Sequence, residues 1–184
     1  MGALFGSILQ AGGLNVVLQD ANLEHVEAIR REGLQIKGFG GDRKVKITAI
    51  SDPSQIQSAD LLLFQCKGNA SRDAAQQVKH LTRQGAVCIS FQNGLGNEEV
   101  IAEEVGPKNV LGGLTTMAGF MTGFGQIHDF SRVPSYIGEM EGGISERSKL
   151  IAEKLSKAGL ETHAVPNIQL EIWKKLLGNI SMSA

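Results

Sequence analysis

Short unbroken apolar blocks inside "NVVLQD", "ADLLLFQCK" and "GAVCISFQN", with the mixed stretch "LETHAV", alternate along the chain with longer stretches whose apolar residues return every third or fourth position. The first kind reads as short strands buried on both faces, the second as amphipathic helices. Residues 2–12 carry Leu4, Ile8 and Ala11 at helical spacing and stop at Gly12 and Gly13. "ANLEHVEAIRREG" sets Leu23, Val26 and Ile29 on one face and closes at Gly33. Helices are also predicted from Ser71 to Arg83, over "NEEVIAEEVG", from Ser145 to Ala158, and from Ile168 onward, where Leu170, Trp173, Leu176 and Leu177 form one stripe. "LQIKGFGGDRKVKITAIS" alternates and turns on Gly-Phe-Gly-Gly, which predicts a hairpin or meander. "NVLGGLTTMAGFMTGFGQIHDF" and "SYIGEM" read as further strands, the first rich in small residues.

Buried strands alternating with helices predict an α/β fold with a Rossmann-like, doubly wound, mostly parallel sheet. Such a domain normally opens with a strand and a G-x-G-x-x-G turn whose backbone approaches a pyrophosphate. This sequence opens "MGALFG", and Met1-Gly2 matches only the last two positions of that fingerprint. The expectation is therefore a sheet whose first strand is missing. The simpler alternative is a protein that begins with this helix and never had a phosphate turn. Pro166 and Asn167 mark a boundary, giving residues 1–166 as a dinucleotide-binding domain and 167–184 as the first helix of an all-helical C-terminal domain.

Composition narrows this picture mainly by exclusion. With 18 Lys and Arg against 19 Asp and Glu, the chain has no polyanion-binding surplus, so no nucleic-acid partner is expected. No apolar run approaches the roughly 18 residues of a spanning helix, and no membrane association is expected. The N-terminus lacks the basic and apolar regions of a signal peptide, so the expected location is the cytoplasm. Cys66 and Cys88 sit in apolar runs and read as free thiols of a reducing compartment. The four histidines share no ligand spacing with them, and no metal site is expected.

The chemistry-bearing stretch is "CISFQNGLGNEEV", a buried strand running into Gln92, Asn93, two glycines and Asn97 before an acidic helix start. Turns at the carboxyl ends of strands are where α/β proteins hold ligands. Together with "VIAEEVGPKNVLGGLTTMAG", "SYIGE" and "EIWKKLLGN", this stretch resembles the ketopantoate reductases, in order and spacing from Gly2 to Ser183. The resemblance implies reduction of the 2-keto group of 2-dehydropantoate to pantoate by NADPH, in the synthesis of pantothenate and coenzyme A. It implies Lys175 as the proton donor and Asn93, Asn179 and Ser183 as substrate-binding. It places Gly2, Asp20, Lys67, Asn93 and Gly119 at the cofactor. A small 2-keto acid is the implied partner, and a homodimer is compatible with it.

The sequence also departs from the family's pattern. Asp20 ends the second expected strand, where an acid suits the ribose 2′-hydroxyl and disfavours a 2′-phosphate, and no arginine follows it. NADH therefore stands beside NADPH. Ser183 occupies a common asparagine position and Met117 that of a frequent histidine. Each residue also has an ordinary reading. Lys175 beside Lys174 is a solvated basic face, Lys67 a strand-end lysine reaching water, Asp20 a helix cap, Asn93-Gly94 a plain turn, and Trp173 a core residue. At the level of the whole chain, the alternatives to a reductase of 2-dehydropantoate are a reductase of another 2-keto acid and an inactive or partner-stabilised fragment.

Overall fold

The computed structural model describes residues 1–182, with side chains through residue 178. The elements run α1 (Gly2–Ala11), β1 (Val17–Gln19), α2 (Leu23–Glu32), β2 (Leu34–Gly38), β3 (Arg43–Val45) and β4 (Thr48–Ile50). They continue with β5 (Leu61–Phe64), α3 (Ser71–Thr82), β6 (Val87–Ser90), α4 (Asn97–Val105), β7 (Val110–Thr115), β8 (Ala118–Gly123) and β9 (Gln126–Ser131). The last are β10 (Ser135–Glu139), α5 (Glu146–Lys157), β11 (Thr162–Ala164) and α6 (Ile168–Met182). The chain gathers into two compact units: Met1–Gln55 with Thr116–Pro134 and Lys154–Glu161, and Ile56–Thr115 with Ser135–Glu153 and the segment from Thr162 onward.

In the first unit β1 and β4 pair in parallel, and β3-β2-β9-β8 form a separate four-stranded sheet. The glycine-rich hairpin between β2 and β3 forms as its sequence predicts, but the predicted meander does not continue: β4 leaves to pair with β1. β2 then gains a parallel partner in β9, a long-range pairing that no local pattern encodes. α1 buries Leu4, Phe5, Ile8 and Leu9, and α2 buries Val26 and Ile29. Leu23 does not join that core stripe and is 62% exposed. As the first residue of α2 it leans back past the helix start, where no turn covers it. Asn22 caps α2, its side chain accepting the His25 N–H at 3.0 Å. The buried Asp129 carboxylate of β9 ties the sheet's end to Arg43 at 2.9 Å and Arg132 at 3.0 Å.

In the second unit the sheet order is β11-β10-β7-β6-β5. β5, β6 and β7 run parallel, β10 is antiparallel to β7, and β11 is parallel to β10. Continuous apolar strands separated by α3 and α4 produce this arrangement, because a parallel pair needs a crossover and buries both faces. Phe64, Ala75, Cys88, Ile101, Val105 and Val110 make the core between these elements. Leu61, Leu62 and Leu63 remain only half-buried, since β5 pairs with β6 alone among the described residues.

The seat of α6 is written in glycines. Gly112 of β7 lies opposite Gly138 of β10. A Cβ on Gly112 would stand 2.9 Å from Ile168 Cγ2, and one on Gly138 would stand 2.8 Å from the Val165 carbonyl oxygen. Ile168, fully buried, fills the hollow that the two glycines leave. Asn167 caps the helix, its Oδ1 accepting the Leu170 N–H at 2.9 Å. Leu170, Trp173 and Leu177 of the predicted stripe are 48%, 50% and 61% exposed, so Trp173 is not a core residue among the described residues.

Candidate active site

Strand β6 ends at Ser90, and the chain leaves the sheet through Phe91, whose N–H bonds to the Phe64 carbonyl at 3.0 Å. Gly94 and Gly96 adopt φ of +96° and +85°, left-handed values that a residue with a Cβ resists. The two bends turn the loop back over the sheet, and α4 starts directly after Gly96. Asn97 closes the loop by donating from Nδ2 to the Asn93 carbonyl at 3.1 Å. It fits because Gly68 leaves space: a Cβ there would lie 2.8 Å from Asn97 Oδ1. Gln92 anchors the near end, its Nε2 donating to the Cys66 carbonyl and to Ser71 Oγ, both at 2.8 Å.

Asn93 is thereby left exposed, and α6 brings Lys175 to it, about two turns beyond the Ile168 seat. Lys175 Nζ donates to Asn93 Oδ1 at 2.8 Å and to the Thr115 carbonyl at 2.7 Å. The contact fixes the Asn93 amide, because an ammonium only donates and so must face the oxygen. Nδ2 then points away, a donor pair with no partner among the described residues. An ammonium carries three N–H bonds, of which two are used among the described residues, leaving one to meet a ligand. Partial burial pushes the Lys175 pKa below its usual value, which makes the proton easier to give up.

Gln92, Asn93, Gly113, Leu114, Ile172 and Lys175 line a small cleft of about 20 Å³. That is room for roughly one water-sized group, such as a single carbonyl oxygen. Neighbouring β6 holds position 113 to glycine: a Cβ there would lie 2.6 Å from the Ser90 carbonyl.

The remaining expected residues fall as follows. Lys67 is exposed just past β5, before the 3-10 turn Gly68–Ala70. Asp20 is exposed after β1; its Oδ1 accepts the Asn22 N–H at 2.8 Å, and Oδ2 makes no hydrogen bond among the described residues. Asp20 is not the helix cap, since Asn22 fills that role. Gly2 is the first residue of α1. Gly119 sits at a register shift between β8 and β9, where a Cβ would come within 3.0 Å of the His128 carbonyl. The Asn179 side chain and Ser183 lie outside the described residues. Met117 is buried. Thr115 was not foreseen, and as a backbone carbonyl it leaves no residue-type signal to find. Among the described residues no group of three or more His, Cys, Asp or Glu could hold a metal ion, and no helix is long and apolar enough to cross a membrane.

Comparison with known proteins adds a lineage to this geometry. The family model "Ketopantoate reductase PanE/ApbA" matches residues 1–142. A 2-dehydropantoate 2-reductase of Halobacterium salinarum is 33% identical over 187 residues, covering the whole chain and 61% of that relative. One from Archaeoglobus fulgidus is 31% identical over 183 residues, again covering the whole chain and 59% of the relative. The chain thus spans about 60% of the length of these curated relatives. Among solved structures, 2-dehydropantoate 2-reductase from Geobacter metallireducens superposes with a TM-score of 0.88 at 26% identity, over 97% of this chain and 59% of that one. D-mandelate dehydrogenase, solved with NADH and anilino(oxo)acetate, gives 0.88 at 28% identity, over 95% and 57%.

Proposed function

The chain belongs to the ketopantoate reductase family, and from that premise we propose that it serves the reduction of a 2-keto acid, 2-dehydropantoate first, by a nicotinamide cofactor. The observation that carries the reading is the ammonium of Lys175 bonded to Asn93 and to the Thr115 carbonyl, with one N–H to spare. Reduction of a ketone builds negative charge on its oxygen, and an ammonium aimed there stabilises the charge and supplies the proton. The substrate's carboxylate, next to the carbonyl, favours the same cation. Asn179, one helical turn beyond Lys175, belongs to this substrate role in the proposal, as does Ser183.

The side chains present fit a nicotinamide cofactor. Among the described residues Asp20 has a carboxylate oxygen without a hydrogen bond, suited to a ribose hydroxyl, and Asn93 an amide donor pair without a partner. In this proposal Lys67, exposed past β5, serves the adenosine end, and Gly2 and Gly119 are further cofactor contacts. When bound, the cofactor supplies the hydride. What this chain supplies is the proton from Lys175, its orientation by Asn93 and Thr115, and a cleft that admits a carbonyl oxygen but little water.

Two details of the proposal have specific support. Asp20 favours NADH over NADPH, because a second negative charge at the ribose would meet its carboxylate. Mandelate and pantoate are both 2-hydroxy acids, so the likeness to D-mandelate dehydrogenase supports a carbonyl beside a carboxylate as the recognised unit. In this reading α6 begins a helical substrate domain at residue 167, and the reducing cytoplasm suits the free Cys66 and Cys88.

Calorimetric titration of the purified chain with NADH and NADPH should show binding, tighter for NADH. Lys175→Ala should retain that binding while turnover of 2-dehydropantoate falls on the order of 10² to 10⁴-fold. Absence of any nucleotide binding would favour an inactive or partner-stabilised fragment, and unchanged turnover would remove Lys175 from the reaction.

A further inference from the structure

The sheet β3-β2-β9-β8 of the first unit has one face that the core does not use. Leu34, Ile36 and Ile127 turn inward and are buried, so the residues alternating with them turn outward. Across that outer face Lys37 of β2 stands in register with His128 of β9, and His128 with Phe120 of β8. The Phe120 and His128 rings are stacked, their centroids 5.3 Å apart. Two residues along β9, Phe130 follows on the same side, and Phe39 follows Gly38, whose register partner is Asp129. Lys44 of β3 is in register with Gln35, and both belong to the outward set.

The solvent face of a sheet is ordinarily polar. Here Phe39, Phe120 and Phe130 are 52%, 56% and 67% exposed, and large apolar groups gathered in the open mark an interaction surface. Two of the rings are also braced, Phe120 by His128 and Phe39 by Arg132. The Arg132 guanidinium lies over the Phe39 ring, 5.9 Å from its centroid, and is itself held by the buried Asp129 at 3.0 Å. Arg43 donates to the Phe39 carbonyl at 3.0 Å and to Asp129 at 2.9 Å. A ring already fixed in the free protein loses little freedom when a partner stacks on it.

Charge decides what that partner is. Lys37 and Lys44 are exposed, and Arg43 and Arg132 share a single carboxylate, so the sheet carries a positive surplus. Asp129 is the one acid on its four strands. At the border stand Asp42, in the hairpin, and Glu32, which is bonded to Arg31 and Gln35. With 18 basic against 19 acidic residues in the whole chain, the excess is local. A second copy would set lysine against lysine and is disfavoured. An anionic bilayer favours rings on a projecting amphipathic helix, whereas Phe130 sits on the inner strand β9 and Phe39 at the end of the inner strand β2. Aromatic side chains on a four-stranded sheet are how one class of RNA-binding domain stacks two or three bases.

We infer that this face is a stacking platform for single-stranded nucleic acid, on which Phe39, Phe120 and Phe130 receive bases while Lys37 and Lys44 meet the phosphates. None of these residues is assigned to substrate or cofactor, so the inference stands apart from the reductase reading.

Fluorescence anisotropy of a labelled oligouridylate of about 12 nucleotides, titrated with the purified chain, should give a Kd of about 10⁻⁵ M near physiological salt. Affinity should fall with salt at a slope of about −0.7 for each phosphate met. Phe120→Ala and Phe130→Ala, both at exposed positions, should each weaken binding about 5- to 100-fold. Lys37→Gln should weaken it less and flatten the salt slope by about 0.7. Lys108→Gln, at an exposed lysine of the second unit, should change nothing. No binding at protein concentrations of about 10⁻⁴ M overturns the inference. So does binding that both phenylalanine variants leave intact, or that Lys108→Gln weakens as much as Lys37→Gln, since either would reduce it to diffuse attraction. Vesicles of phosphatidylserine and phosphatidylcholine bound in place of the oligonucleotide would assign the face to a membrane, and a concentration-dependent dimer dissolved by Phe130→Ala would assign it to a second copy; each result overturns the platform.

Discussion

Lys175 combines two opposing influences in one side chain. Partial burial lowers its pKa below the ordinary lysine value, while the Asn93 and Thr115 oxygens hold its protons in a fixed direction. The protonated form is the working one, so turnover should fall as pH rises through the lowered pKa, giving an alkaline limit below the ordinary lysine range. Asn93→Asp puts an anion beside the ammonium and favours its charged form, and should move that limit to higher pH. A pH series of kcat for the two proteins checks the direction; a limit that stays put would uncouple Asn93 from the titrating group. The same shift has a stability consequence with a definite sign. The unfolded chain holds this proton more tightly than the folded one, so the cost of burying it is full at neutral pH and fades as pH climbs toward the ordinary value. Asn93 and Lys175 were legible in the sequence because a carboxamide at a glycine turn and a lysine on a helix carry recognisable chemistry. The Thr115 carbonyl was not, since a backbone group carries no residue-type signal.

At the scale of elements, the site depends on how α6 is seated. The facing Gly112 and Gly138 accept Ile168, and any side chain there lifts the helix start. In Gly138→Ala the new methyl meets the Val165 backbone at 2.8 Å, which has little freedom to yield. The substitution should cost about 1–3 kcal/mol in urea denaturation, and turnover should drop further than the folded fraction does, because Lys175 rides on the displaced helix. Loss of activity in proportion to stability alone would mean the seat does not set the site. These two glycines were read in the sequence only as strand residues in a small-residue run. Their use became visible once β7 and β10 were paired, and that antiparallel pairing joins segments separated by more than a helix's length of chain. The same limit hid the pairing of β2 with β9 and the departure of β4 to β1. Helix ends, by contrast, followed closely from glycines and from the Pro166–Asn167 boundary: Gly33 closes α2 and Asn167 opens α6, whereas the cap of α2 is Asn22 and not the expected Asp20.

Taken whole, the chain carries a parallel-sheet core with its cleft at the strand ends, over about 60% of the length of the relatives it matches. Fold class and family were readable from alternating strand and helix runs and from the Gln92–Asn97 turn. The division into two interleaved units was not, because the first unit draws on three separate stretches of chain and the second on the two between them and the one that follows. Trp173 offers a direct way to watch the assembled molecule. It is the one tryptophan in the sequence and is half exposed. Lying two residues from Lys175, it projects from nearly the opposite side of α6, about 200° around the helix axis. The protein's intrinsic fluorescence is therefore a built-in optical probe of the outer face: a small ligand entering the cleft leaves the emission wavelength where it is, whereas anything large enough to cover Leu170, Trp173 and Leu177 shifts it to the blue.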